Sequence, residues 1–135
     1  MKKNILIAGS SGAIGREFTK FYSDDEDTAK IVTLSRKKND FDHKKILSIE
    51  FDYSKEETFN NLDEILELES ISTIIVATGI LHTDQIKPEK SLDAISSENL
   101  KKVFHVNVFG PILLVKKLLP LIKKSQGVKI VFLTA

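Results

Sequence analysis

Gly9, Gly12 and Gly15 recur at every third position in Gly9-Ser10-Ser11-Gly12-Ala13-Ile14-Gly15, between an apolar, β-branched run and an amphipathic stretch. Residues of this kind at this spacing suit phosphate chemistry. Gly9 permits a tight turn, Gly12 lets a pyrophosphate approach the backbone, and Gly15 lets the following helix pack against the strand. The helix start then offers unpaired N–H groups and the positive end of its dipole to an anion. The plainer alternative is an ordinary tight strand-to-helix turn. The flanking pattern on both sides favours dinucleotide binding.

Four further places could complete such a site. Ser35-Arg36 is followed by Lys37-Lys38, with no acid before Asp40. An acid here reads the ribose of NAD, whereas a basic residue accommodates the 2′-phosphate of NADP. Arg36 presents a planar fork suited to a phosphate and Ser35 a hydroxyl, so NADP is expected over NAD; a solvated basic loop is the alternative. Asp52 is expected to be free to accept from an amino group such as that of adenine, because Ser54 is expected to cap the next helix. Taken alone, Asp52 reads more simply as a solvated turn acid. Ala77-Thr78-Gly79 closes an apolar run with small residues that let a ligand lie on the backbone. Asn107 follows Val103 and Phe104 by four and three positions, which places it on an apolar helix face as a buried amide needing partners. It either holds water or a neighbouring group, or eases a break before Gly110-Pro111. His43, His82 and His105 show no metal-ligand spacing, and each reads as structural or solvated; His82 stands closest to the expected ligand edge. No Ser–His–Asp order or acid pair stands out.

The elements that must position these residues alternate short apolar runs with amphipathic stretches, the signature of βαβ units. Strands are expected at Asn4–Ala8, Lys30–Leu34, Ile46–Phe51, Ser72–Ala77 and Val128–Thr134. A helix over Ala13–Tyr22 should turn Ile14, Phe18 and Phe21 inward. Ser54 and Glu57 form a capping box ahead of Phe59, Leu62, Ile65 and Leu66. A long helix from Ser97 should carry Leu100, Val103, Phe104 and Val108 as its apolar stripe, break at Gly110-Pro111 and resume to about Lys124. The first four strands are continuous apolar runs, as in sheets covered on both faces. The expected fold is α/β, a Rossmann-type doubly wound parallel sheet of about five strands.

Composition agrees with that reading. The chain has 135 residues, 41% apolar and 29% charged, with 20 basic against 19 acidic residues and no cysteine. One domain is expected, without disulfides or thiol chemistry. The balanced charge argues against nucleic-acid partners. No apolar run approaches the ~20 residues of a membrane span, and the N-terminal run is too short for a signal-peptide core, so a cytoplasmic protein is expected.

Taken together, NILIAGSSGAIGR, Ser35-Arg36, FDYS around Asp52, VATG ending at Gly79, VFHVNVFGP around Asn107 and KIVFLTA resemble the short-chain dehydrogenase/reductase family. The segment from VATGILH to NVFGPILLVKKLLP looks most like the branch containing the C-factor cell–cell signalling proteins. The resemblance implies that Gly9, Ser10, Ser11, Gly12, Ile14 and Gly15 form the cofactor's glycine loop and that Ser35 and Arg36 choose between NAD and NADP. It implies that Asp52 and Tyr53 form the adenine pocket. Ala77, Thr78 and Gly79 stand where the family has Asn-Ala-Gly, with Ala and Thr departing from it. Asn107 matches the asparagine that orders the water of the proton relay. Dimerisation through Ser97–Lys124 is likewise implied.

Two departures qualify this. The middle glycine sits one place early, as in the family's extended branch. The family also needs a Ser after the fifth strand and a Tyr and Lys four residues apart, whereas Tyr22 and Tyr53 both precede that region and neither has a lysine four residues on. Residues 1–135 are therefore expected to be an NAD(P)-binding domain incomplete at its C-terminus, with an open outer edge on the fifth strand. The implied activity is NADP-dependent hydride transfer on a small carbonyl or alcohol, absent from this chain by itself. The alternatives are a non-catalytic NADP-binding or signalling module and, more weakly, an epimerase-like protein.

Overall fold

A computed structural model describes residues 2–38, 41–80 and 83–134. The apolar runs form five parallel strands, β1 (Lys3–Ala8), β2 (Thr28–Ser35), β3 (Ile46–Glu50), β4 (Thr73–Val76) and β5 (Lys129–Phe132), in the order β3-β2-β1-β4-β5. The chain runs outward from β1 to β3, then returns to the other side of β1. This reversal places the switch point of the sheet between β1 and β4, where Ala8 pairs with Val76.

The absence of alternation in β1 has a simple cause. Ile5 and Ile7 point to one face, Leu6 and Ala8 to the other, and all four are fully buried. With both faces covered, a period of two demands an apolar residue at every position. Ile5, Ile7 and Ile31 pack against Phe18 and Tyr22 of α1 (Ala13–Asp24). Leu6 and Ala8 belong to the larger cluster on the opposite face. It includes Ile65 of α2 (Asp63–Leu66) and Leu114, Leu118 and Leu121 of α4 (Gly110–Lys124). Lys117 pairs with Asp63 at 2.7 Å and Lys124 donates to the Leu66 carbonyl at 3.0 Å, joining α4 to α2.

Three local expectations need correction. In α1 the inward positions are Gly15, Thr19 and, partly, Phe18 and Tyr22, while Ile14 and Phe21 are 57% and 66% exposed. Gly15 must face inward because it rests on the Gly9 carbonyl, and positions three, four and seven residues on follow it. Thr19 is tolerated there because its hydroxyl donates to the Gly15 carbonyl at 2.8 Å. The Ser54 capping box does not form. The chain passes instead through a 3₁₀ helix over Glu56–Leu62 whose start has no side-chain cap.

The long helix does not break at Gly110-Pro111. It continues from α3 (Ser97–Phe104) through a π turn over His105–Phe109 into α4. The Gly110 N–H reaches back five residues to the His105 carbonyl, so Pro111, which lacks an N–H, enters where the ladder is already wide. Ser96 caps α3 by accepting from the Asn99 N–H at 3.1 Å. Leu100, Phe104 and Val108 lie exposed rather than inward, because the inward side of α4 belongs to Leu114, Leu118 and Leu121. Joined this way, Ser97–Lys124 is long and apolar enough to cross a membrane by length and composition alone, which a count of unbroken apolar runs overlooks.

β5 keeps the open outer edge expected of it. It is exposed along its length and pairs only with β4 among the described residues.

Candidate functional site

A cavity of about 760 Å³ opens beyond the C-terminal ends of the strands. The glycine loop contributes Gly9, Ser11 and Gly12, the end of β2 contributes Ser35 and Arg36, and the turn after β3 contributes Asp52 and Tyr53. Ala77, Thr78 and Gly79 line it from the end of β4. These segments are far apart in sequence, and the switch point of a doubly wound sheet is what gathers them.

The three loop glycines are glycines for different reasons. Gly9 has φ +83°, and a Cβ there would lie 2.7 Å from the Ala77 carbonyl oxygen. A Cβ on Gly15 would lie 2.1 Å from the Gly9 oxygen. Both are required by the chain's own packing. Gly12 is extended, at φ −74° and ψ 165°, and a Cβ there would meet nothing closer than 3.5 Å. The fold leaves room for a side chain at Gly12, and this room opens on the cavity. Gly12 is also the N-cap of α1, with no side-chain cap and no acid in the first turn. That bare helix start, with a cradle a methyl group would fill, fits a phosphate-bearing ligand.

The end of β2 separates two residues that the sequence treats together. Ser35 is buried, and its hydroxyl donates to the Lys37 carbonyl, so it holds the loop rather than offering a donor outward. Arg36 is exposed and lines the cavity.

Asp52 is not free as expected. Its Oδ1 accepts from the Ser54 N–H at 2.9 Å and from the Ser54 hydroxyl at 2.6 Å, while Thr58 Oγ1 accepts from its N–H at 3.0 Å. The missing Ser54 cap and the committed Asp52 are thus one event, since Ser54 turns back to Asp52. Burial pushes the Asp52 carboxyl up, but the Ser54 bonds, Lys55 and Arg36 outweigh it and hold it below its ordinary value.

Tyr53 is a buried polar residue of the wall. Its hydroxyl lies 2.8 Å from the Thr78 hydroxyl, its ring meets Phe51 edge-on, and its carbonyl accepts from His105 Nε2 at 2.8 Å. Its ring also occupies the space a side chain on Gly110 would need, with a Cβ there only 2.4 Å from the ring. Burial pushes its hydroxyl up to about 12 despite the Thr78 bond.

The structure does not bring every expected residue to the cavity. Ser10 is fully buried beneath the loop, its hydroxyl donating to the Leu34 carbonyl at 3.3 Å. Gly15 is packed under Gly9, and Ile14 points outward. Asn107 is exposed rather than buried, and Ile80 takes both ends of its amide. Asp40 and His82 lie outside the described residues.

Conversely, Lys101, Lys102, His105 and Phe109 enter the wall unannounced, as do Thr83 and Gln85. Lys101 and His105 are four residues apart and share a helix face. That spacing is the available signal, masked by the apolar stripe beside it.

The family model described as short chain dehydrogenase matches residues 3–135. No curated protein matches the chain by sequence. Among solved structures, a short chain dehydrogenase family protein from Francisella tularensis is similar with a TM-score of 0.79 and 23% identity, over 98% of this chain and 50% of that one. Thermoplasma acidophilum aldohexose dehydrogenase is similar with a TM-score of 0.79 and 24% identity, over 99% and 49%. A short chain dehydrogenase from Leptospira borgpetersenii, solved with bound NAD+, gives 0.65 and 24%, over 87% and 44%. The chain spans about half the length of these structures.

Proposed function

The chain belongs to the short-chain dehydrogenase family, and from that premise we propose that residues 1–135 bind NADP(H) in preference to NAD(H) as the cofactor half of a carbonyl reductase or alcohol dehydrogenase. The observation that carries this reading is Gly12, whose missing side chain the fold does not require and a ligand at the cavity would. In this reading Gly9, Ser11, Gly12 and the first N–H groups of α1 hold the pyrophosphate, with Gly15 and Ser10 keeping the loop in shape. Arg36 holds the 2′-phosphate through its guanidinium fork, a role Ser35 cannot share while its hydroxyl serves Lys37. Asp52 accepts from the adenine amino group through the oxygen that Ser54 leaves, beside Tyr53. Ala77, Thr78 and Gly79 let the nicotinamide half lie against the end of β4, and Asn107 stands ready to order water near Ile80. A bound nicotinamide supplies hydride chemistry to a small carbonyl or alcohol substrate.

Neither Tyr22 nor Tyr53 is placed to act as the acid–base of a proton relay, of which Asn107 is the residue present. A general acid–base near neutrality needs a pKa close to the working pH. Tyr53, the tyrosine of the cavity wall, is pushed the other way, to about 12. Tyr22 packs on the opposite face of the sheet. This favours a second reading, a non-catalytic NADP-binding module of the C-factor-like branch. Calorimetric titration of the 135-residue chain tests both. Binding of NADPH tighter than NADH, with no turnover of carbonyl substrates, is expected. Absence of binding by either dinucleotide overturns the cofactor assignment, and turnover by this chain overturns the missing acid–base.

A further inference from the structure

His105 is joined to the backbone of the wall, not to another side chain. Its Nε2 lies 2.8 Å from the Tyr53 carbonyl oxygen. A carbonyl can only accept, so Nε2 carries the proton. In the neutral ring Nδ1 is then obliged to be an acceptor. Nδ1 has no hydrogen-bond partner among the described residues, no buried side-chain atom is left without one, and His105 lines the cavity. The ring thus adds one fixed acceptor to the cavity wall that Asp52 and Tyr53 also line.

We propose that His105 is a base-specificity residue that selects an amino-bearing purine, its Nδ1 accepting from the exocyclic amine of adenine alongside Asp52. The proposal rests on the dinucleotide reading above. Hypoxanthine has an oxygen in place of that amine, so it would forgo the bond and set one acceptor against another. Discrimination follows because the wrong base leaves the site's own polar group unpaired.

The experiment measures the affinity of the 135-residue chain for NADPH and for nicotinamide hypoxanthine dinucleotide phosphate. The unmodified chain, His105→Leu and His105→Gln are compared, with thermal melts run beside them. The unmodified chain is expected to favour NADPH by about tenfold or more. His105→Leu should reduce that preference about threefold or more by weakening NADPH while leaving the hypoxanthine analogue nearly unchanged. His105→Gln keeps one donor for Tyr53 and one acceptor for the base, and should retain the preference. Equal weakening of both dinucleotides in His105→Leu, or an unchanged ratio, would mean that His105 only props up Tyr53, which overturns the proposal and leaves the dinucleotide reading standing. If the unmodified chain binds neither, both fall together.

Discussion

Asn107 holds both backbone groups of Ile80. Its Oδ1 accepts from the Ile80 N–H and its Nδ2 donates to the Ile80 carbonyl, each at 2.7 Å. One side chain thus stands in for a strand neighbour just past the end of β4, where the sheet no longer satisfies the backbone. The π turn presents the amide at this point, and Gly79, whose Cβ position lies 3.5 Å from Oδ1, leaves the approach open. Asn107→Ala is expected to cost about 1–2 kcal/mol and to speed hydrogen exchange at the Ile80 amide. Native-state exchange checks it, and an unaltered Ile80 rate would refute the assignment.

The glycine loop predicts opposite outcomes for two identical substitutions. Gly15→Ala drives a methyl group against the Gly9 carbonyl and should destabilise the chain by about 1–3 kcal/mol. Gly12→Ala makes only an ordinary contact with the Gly9 carbonyl oxygen, at 3.5 Å, and its stability should stay within about 0.5 kcal/mol of the original, while dinucleotide affinity drops. Chemical denaturation and calorimetry, run on the same two variants, separate the two reasons for being glycine.

Tyr53 ties stability to alkaline pH. Its pKa in the folded chain is about 12, above the ordinary tyrosine value of 10.0, because burial favours the neutral phenol. The neutral form is therefore the stabilised one. Its contribution is complete below pH 10 and is lost as pH rises from 10 through 12, amounting to roughly 2–3 kcal/mol. The comparison is with Tyr53→Phe, which keeps the ring and lacks the ionisable hydroxyl. That variant should lose less stability between pH 10 and 12 than the original chain. Parallel pH dependences would contradict the burial of the hydroxyl.

Arg36 carries the preference between cofactors under the proposed function. Arg36→Asp should weaken NADPH by about tenfold or more, since a charge-assisted phosphate contact is replaced by repulsion, and should change NADH little. Equal loss for both dinucleotides would show that Arg36 does not read the 2′-phosphate.

Most of the architecture is legible in the sequence because it depends on patterns that repeat. All five strands are foreshadowed as short apolar runs, and the glycine spacing marks the βα turn where the cavity opens. What escapes reading depends on single choices between competing partners. Ser54 could cap a helix or turn back to Asp52, and only the structure shows the second. Phe21 looks like a core residue until Gly15 sets the rotation of α1. His105 and Lys101 sit beside an apolar stripe that pattern reading assigns to the core, so the polar face that meets the cavity stays hidden. Asn107 is placed inside by its spacing from Phe104, a spacing that presumes regular α-helix through a stretch that is not regular.

That irregularity sets the helical phase of the wall. An α-helix advances about 100° per residue, and the π turn over His105–Phe109 absorbs one residue more than an α turn does. Everything on α3 is therefore indexed about 100° away from where the leucines of α4 would otherwise put it. Deleting a single residue such as Val108 would let an ordinary helix form, yet would swing Lys101 and Lys102 around the axis and out of the cavity. The sheet and α4 could remain in place with the wall facing the wrong way, so the cavity answers to an angular register as well as to the identity of its residues.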